Sequence, residues 1–399
     1  MLNITTENKR YGLLALLSHS TFCVVFAYYI MYLKSVGYSS SQVGVVSALS
    51  ILVNISAQPI IGYLSDNIVG IKKIMIVIFT VPMVLAVFIP AAHSNFFLIL
   101  GIILVISITG RNSCAALDIF IVKTARKKSG ADYGFIRGMG SLGYAVTALI
   151  LGYVLSKSGS SVIFVIYSVM MAVSLVCLVR LDDVPPEKIQ KSAQKISFFR
   201  AILMLLKIPS YVLSIFAFFF TFLAVGANGI FNTVLVAEVG GTSFHLGMGL
   251  FICAISEVPV MLCNKKILKK FSMKTVLMFS LIVYILKTNL ILWFPSVDGY
   301  IYTQFLQSVT YGLFMPTSLM YVSSIVPKKL TATAMMLSGA LYGGISGITA
   351  SYIGGLMIDR LGVLSIYKYG TVCCVIGAVL FLLNLLLFKN PPADEESVF

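Results

Sequence analysis

Apolar stretches of about 20 residues recur along the whole chain, and they decide what it can fold into. A helix of that length crosses a hydrocarbon layer about 30 Å thick. Inside lipid every backbone N–H and C=O must be bonded within the protein, which leaves helices and closed β-barrels as spanning structures. The alternating pattern of barrel strands is absent, so helices remain. Hydrophobic residues make up 59% of the 399 positions and charged residues 11%, against about 25% charged in soluble proteins. The spans read as 11–33, 43–64, 74–92, 96–121, 138–156, 161–179, 211–236, 245–263, 275–294, 300–325, 332–358 and 367–388. The expectation is an all-α integral membrane protein with twelve transmembrane helices.

The net charge of +15 does not indicate a nucleic-acid partner, because the cations are sorted by loop. Lys72, Lys73, Lys123, Arg126, Lys127, Lys128, Lys188, Lys191, Lys195, Lys269, Lys270, Lys328, Lys329 and Lys389 fall on one side of the membrane. The other side carries only Lys34, Lys157, Arg360 and Lys368. The positive-inside rule makes the rich side cytosolic and puts both termini there, in a multi-pass protein of the cell (inner or plasma) membrane. The lipid bilayer is the natural partner of this charge. The seven cysteines lie mostly inside spans and read as buried small hydrophobes. Neither metal spacing nor a nucleotide motif is present, so no cofactor and no catalysis are expected.

The segment LDDVPPEKIQKSAQK is polar and carries prolines, which is linker composition. It divides the chain into a six-helix bundle over 1–180, a cytosolic linker over 181–210 and a second six-helix bundle over 211–399. The halves echo each other: VGYSSSQVG (36–44) is matched by VGGTSFHLG (239–247). Likewise the glycine-rich RGMGSLGYAVTALILGYVLSKSG (137–159) is matched by LSGALYGGISGITASYIGGLMIDRLG (337–362). Small residues let helices approach closely in lipid, and Ser39 with Gln42 fits a capping box. Two such bundles related by a pseudo-twofold repeat suit a transporter that rocks about a midplane site.

Ionisable groups at membrane depth cost at least about 2.5–3.5 kcal/mol on insertion scales and mark function by default. Arg111 and Asp118 share one face of the fourth span, Arg137 enters the fifth, Glu257 lies in the eighth and Lys287 in the ninth. Lys287 sits about 18 Å into its helix, past the midplane, and must face a partner or a water-filled cavity. His19 is expected to bond a neighbouring helix or else to line the cavity, and Asn54 and Gln58 to make interhelical bonds. Tyr28, Tyr29 and Tyr32 fit an interfacial aromatic belt or a substrate path equally well.

The loop QPIIGYLSDNIVGIKK (58–73) resembles the signature G-x-L-[SA]-D-x3-G-x-[RK]-[RK] of the major facilitator superfamily. The resemblance implies a gating loop made of Gly62, Asp66, Lys72 and Lys73, in which the aspartate acts as a breakable latch facing a basic loop. Asn67 stands where the family has arginine. CAALDIFIVKTARKKSGADYGFIRGMGSLGY (114–144) resembles the lactose permease group of oligosaccharide:proton symporters. By that resemblance Asp118, Arg137 and Tyr144 grip a sugar. Their chemistry fits, since a carboxylate and a guanidinium bond vicinal hydroxyls and a ring covers the C–H face.

In the second half the resemblance assigns Glu257 to both substrate and proton, and Lys287 with Gln307 to the charge network. The group often has a histidine where this chain has Gln307, and the lactose permease has an acid where this chain has Thr310. Asn228 and Asn232 lie near the positions of that permease's seventh-span acids. Three readings of the pair stay open: Glu257 as proton site with Lys287 as counter-ion, a permanent salt bridge, or Lys287 binding an anionic substrate.

The function expected is proton-coupled import of a sugar or glycoside by alternating access, by a monomer with a small-molecule substrate and protons as partners. Related branches move nucleosides or aromatic acids, so those substrates are the alternative. A membrane sensor on the same fold is a third reading.

Overall fold

The computed structural model describes residues 6–127, 133–182 and 198–388. The segment expected as a linker lies largely outside them, as do Lys128, Lys188, Lys191, Lys195 and Lys389. The described residues form helices and turns, with no strand among them. In chain order the helices are α1 (Thr6–Phe26), α2 (Tyr29–Ser35), α3 (Ser40–Asn67), α4 (Ile71–Ala86), α5 (Phe96–Thr109), α6 (Ser113–Lys127), α7 (Tyr133–Ser158) and α8 (Val162–Val179). They continue with α9 (Phe198–Leu206), α10 (Pro209–Glu238), α11 (Ser243–Lys270), α12 (Met273–Trp293), α13 (Val297–Phe305), α14 (Tyr311–Ile325), α15 (Thr331–Ser338), α16 (Ser346–Leu361) and α17 (Leu364–Leu387).

Among the described residues ten helical segments are long and apolar enough to cross a membrane. The two other runs read from the sequence take different forms. The run at 74–92 is α4, 16 residues long, followed by turns over 87–94. The run at 300–325 is α13 and α14 separated by turns over 306–310. Further irregular turns interrupt long spans: a 3-10 turn, Gly110–Asn112, between α5 and α6, and a π turn, Gly339–Ile345, between α15 and α16. Such turns free backbone groups, and inside lipid they persist only where protein or a cavity satisfies them.

The capping box forms as the sequence indicates. Ser39 Oγ accepts from the Gln42 N–H at 3.1 Å and Gln42 Oε1 accepts from the Ser39 N–H at 2.9 Å. Two of the four open N–H groups at the start of α3 are thereby satisfied.

The chain separates into two compact units, residues 1–191 with 241–255, and residues 192–240 with 256–399. In the first unit α1 packs on α7 and α8, and α4 also packs on α8. In the second unit α10 packs on α16 and α17, and α12 also packs on α17.

Glycine makes the α1–α7 contact possible. A Cβ at Gly143 would stand 2.9 Å from Leu16 Cα and against the Leu16 carbonyl, and one at Gly140 would stand 2.6 Å from His19 Nδ1. Ser20 Oγ donates to the Gly143 carbonyl at 3.0 Å, and Thr147 Oγ1 donates to Ser20 Oγ at 2.8 Å. Small residues and short hydroxyls are what hold helices in lipid, where the hydrophobic effect does not. Gly143→Val is therefore expected to lower the melting temperature of the purified protein sharply. Gly138→Ala, whose Cβ meets nothing within 4 Å, is expected to leave it nearly unchanged. Equal melting temperatures would refute the close approach.

Several side chains differ from expectation. Tyr28, Tyr29 and Tyr32 are buried at 0%, 5% and 2% exposure, so they form neither a belt nor an open path. Tyr28 donates to the Ala148 carbonyl at 2.6 Å, Tyr29 shares a 2.7 Å bond with Ser47, and Tyr32 stacks edge-on against Phe164. His19 bonds the Ala15 carbonyl of its own helix at 3.0 Å, not a neighbouring helix. Asn54 Oδ1 is buried with no hydrogen-bond partner among the described residues, and Gln58 is exposed.

Candidate functional site

In the first unit the expected sugar-binding residues come from α6 and α7. Asp118 is half-buried with its Oδ1 fully enclosed, and Arg137 is exposed and donates to Ser141 Oγ at 3.4 Å, one turn on. The charges of both reach Cys114, one turn before Asp118, which puts acid and guanidinium in one neighbourhood. Arg137 also acts on His19 of α1. Tyr144, two turns beyond Arg137, is half-buried and lies 6.5 Å from the Phe22 ring centroid. Phe22 continues to Phe26 at 5.1 Å, and Arg111 sits over the Phe26 face at 5.1 Å. The sequence placed Arg111 on one face with Asp118; the aromatic wall leading to it was not foreseen.

The gating-loop residues are arranged differently from the expected latch. Asp66 is held by Lys123, near the end of α6, at 2.8 Å, and the same ammonium donates to the Ser65 carbonyl at 3.0 Å. Lys72 instead donates to the Val179 carbonyl at 3.0 Å and to the Leu181 carbonyl. Lys73 is exposed, and a Cβ at Gly62 would meet nothing within 4 Å. The physical reason is the helix end: the unbonded carbonyls closing α8 attract Lys72, leaving the acid to a cation from α6.

The Asp66 side chain is 34% exposed and that of Lys123 14%, so water screens the pair and its coupling is about 0.2–1 kcal/mol. A double-mutant cycle on thermal stability with Asp66→Ala and Lys123→Ala is expected to show that coupling. The Asp66–Lys72 cycle is expected to show none, and coupling in the second cycle alone would contradict the assignment.

In the second unit the residues expected to form the charge network approach the break between α13 and α14. Lys287 Nζ, from the middle of α12, donates to Gln307 Oε1 at 2.5 Å. The Gln307 carbonyl accepts from the Gly312 N–H at 3.0 Å, bridging the break. A Cβ at Gly312 would stand 3.5 Å from Glu257 Cα and 3.7 Å from the Gln307 carbonyl oxygen. The backbones carrying Glu257 and Gln307 therefore meet at this glycine. The Glu257 charge reaches the buried Tyr284, which Tyr311 also faces. Thr310 is buried and turns its hydroxyl back to the Leu306 carbonyl at 2.8 Å, closing the break locally.

Asn228 and Asn232 are half-buried on α10, and Asn228 Oδ1 has no hydrogen-bond partner among the described residues. An aromatic cluster was not anticipated. Phe218, Phe222, Tyr284, Phe314 and Tyr342 pack ring to ring with centroids 4.8–6.4 Å apart. Its spacing in sequence matches ordinary apolar helix, so nothing distinguished it there.

Residues 10–369 match the family profile described as the MFS_1 like family. The chain belongs to that family. It is a multi-pass membrane transporter of the major facilitator type and not an enzyme. The maltose permease of Geobacillus stearothermophilus is 24% identical over 359 residues, covering 90% of this chain and 89% of that one. The raffinose permease of Escherichia coli is 22% identical over 354 residues, covering 83% and 81%. Among solved structures the nucleoside transporter NupG superposes with a TM-score of 0.80 at 15% identity, over 97% of this chain and 100% of that one. At that identity the likeness is one of fold.

Proposed function

We propose that this transporter imports a sugar or oligosaccharide together with protons, by alternating access of two six-helix bundles related by a pseudo-twofold repeat. The observation that carries the coupling is the meeting of Lys287, Gln307 and the Glu257 backbone at the α13–α14 break. The substrate class rests on the kinship with two sugar permeases and on the chemistry of Asp118, Arg137 and Tyr144.

In this reading Asp118 and Arg137 take the sugar hydroxyls in charge-assisted bonds, and Tyr144 covers a C–H face. Glu257 takes the proton. An apolar setting favours the neutral acid, while a nearby cation favours the carboxylate. Lys287 sets that balance, and the neutral amide of Gln307 holds its ammonium without competing as a base. Proton and sugar binding then bias the same equilibrium between inward- and outward-facing states. The unit boundary at the polar segment 181–210, both termini in the cytosol, and action as a monomer complete the proposal.

Proteoliposomes with an imposed pH gradient, given labelled maltose and raffinose, test it. Accumulation of either sugar above the external level, collapsed by a protonophore, is expected. Accumulation of nucleosides instead, with no sugar uptake, would replace the substrate class.

A further inference from the structure

Arg111 is placed where a binding residue would be, and the proposed sugar grip does not use it. It sits on the 3-10 turn between α5 and α6, near the middle of the span Phe96–Thr124. Its guanidinium lies over the Phe26 ring at 5.1 Å, and the neutral Tyr29 phenol is its titratable neighbour among the described residues. Tyr29 is itself engaged with Ser47. Among the described residues no carboxylate neutralises Arg111, and no hydrogen-bond acceptor meets it. An aromatic face moderates a cation's desolvation but uses none of its five N–H donors. A guanidinium kept at membrane depth without a counter-charge is costly unless a ligand supplies one.

A second, independent observation comes from the same corner. Phe26 and Tyr29 line a small, mainly apolar cavity that Ser50 of α3 and Ser107 of α5 also border. Both serines are essentially inaccessible, at 1% and 0% exposure. Neither hydroxyl has a hydrogen-bond partner among the described residues. Ser107 precedes Arg111 by one helical turn. Buried hydroxyls are ordinarily satisfied, so this corner holds unused hydrogen-bonding capacity besides the guanidinium. It is joined to Tyr144 through Phe22 and Phe26. The rings of Tyr144, Phe22 and Phe26 thus run in sequence from the proposed sugar grip to Arg111.

We propose that Arg111 receives an anionic group of the transported solute, a carboxylate or a phosphate, so that the preferred substrate is an acidic glycoside. The inference rests on the sugar reading above, and the test separates the two. Purified full-length protein is titrated with a matched set: 4-nitrophenyl glucoside, 4-nitrophenyl glucuronide and 4-nitrophenyl glucoside 6-phosphate. A charge-assisted pair at this depth should make one anionic member bind about 10- to 100-fold more tightly than the neutral one. The member preferred identifies carboxylate or phosphate.

Arg111→Gln should reduce the preference to near parity with little change for the neutral glycoside, and Arg111→Lys should keep part of it. Retained binding of the neutral glycoside certifies that each variant is folded. If the neutral glycoside binds as tightly as both anionic ones, or the preference survives in Arg111→Gln, the Arg111 assignment falls while the sugar reading stands. If no glycoside binds but 3-phenylpropionate does, in an Arg111-dependent way, the sugar reading falls and the assignment stands. If none of these compounds binds, both fall.

Discussion

Glu257→Gln is expected to abolish proton-driven accumulation of sugar while leaving exchange of internal for external sugar intact. Glutamine keeps the size and hydrogen-bonding of a protonated acid but holds the site in one state. A carrier fixed in that state still binds solute and still changes conformation, so exchange continues. It cannot couple the movement to a proton gradient. Uptake against a gradient and counterflow in the same proteoliposome preparation separate these steps. Accumulation that survives with exchange lost would show that Glu257 serves binding or packing and that the proton is carried elsewhere.

The neighbourhood of Glu257 makes the prediction specific. Gly312 brings the Glu257 and Gln307 backbones together across the helix break, and Lys287 donates to Gln307 at 2.5 Å. Exchanging the charges, with Glu257→Lys and Lys287→Glu together, asks whether the pair only ties helices. A doubly exchanged protein that folds and fails to transport indicates more than a tie. One that transports normally indicates a structural salt bridge.

Arg137→Ala is expected to weaken sugar binding about 100-fold, and Asp118→Ala similarly, because each removes a charge-assisted partner of the sugar hydroxyls. Arg137→Lys should recover little, since an ammonium is a point donor and cannot bond two adjacent hydroxyls in the plane of a guanidinium. A thermal-shift titration with maltose and raffinose measures this. Because Arg137 is exposed and donates to Ser141 one turn along its own helix, its loss should leave the melting temperature of the empty protein within a few degrees. A fall in that temperature with unchanged sugar affinity would make Arg137 a structural residue.

Ten of the twelve expected spans were legible because hydropathy alone dictates them once lipid is the solvent. The capping box at Ser39 was legible because its chemistry spans three residues, and the glycine-rich stretch around Gly143 because close packing in lipid requires small side chains. What the sequence did not show is what depends on long-range partners or on backbone register. Asp66 and Lys123 meet across 57 positions, and no local pattern says that Lys72 is taken by the end of α8. The breaks at Gly110–Asn112 and at 306–310 do not alter hydropathy, so both spans read as continuous. The tyrosines at 28, 29 and 32 fit a belt by composition, and only packing reveals that each is buried and engaged. Arg111 was visible as a charge in a span, but its lack of an acidic neighbour is a property of the folded unit.

Sugar-dependent proton movement reads the coupling directly. Proteoliposomes without an imposed gradient, in weakly buffered medium under an external pH electrode, receive a pulse of maltose or raffinose. Immediate alkalinisation of the medium as sugar enters is expected, present in the native protein and absent in Glu257→Gln. Entry of labelled sugar with no change in external pH, at the same rate in both proteins, would contradict it.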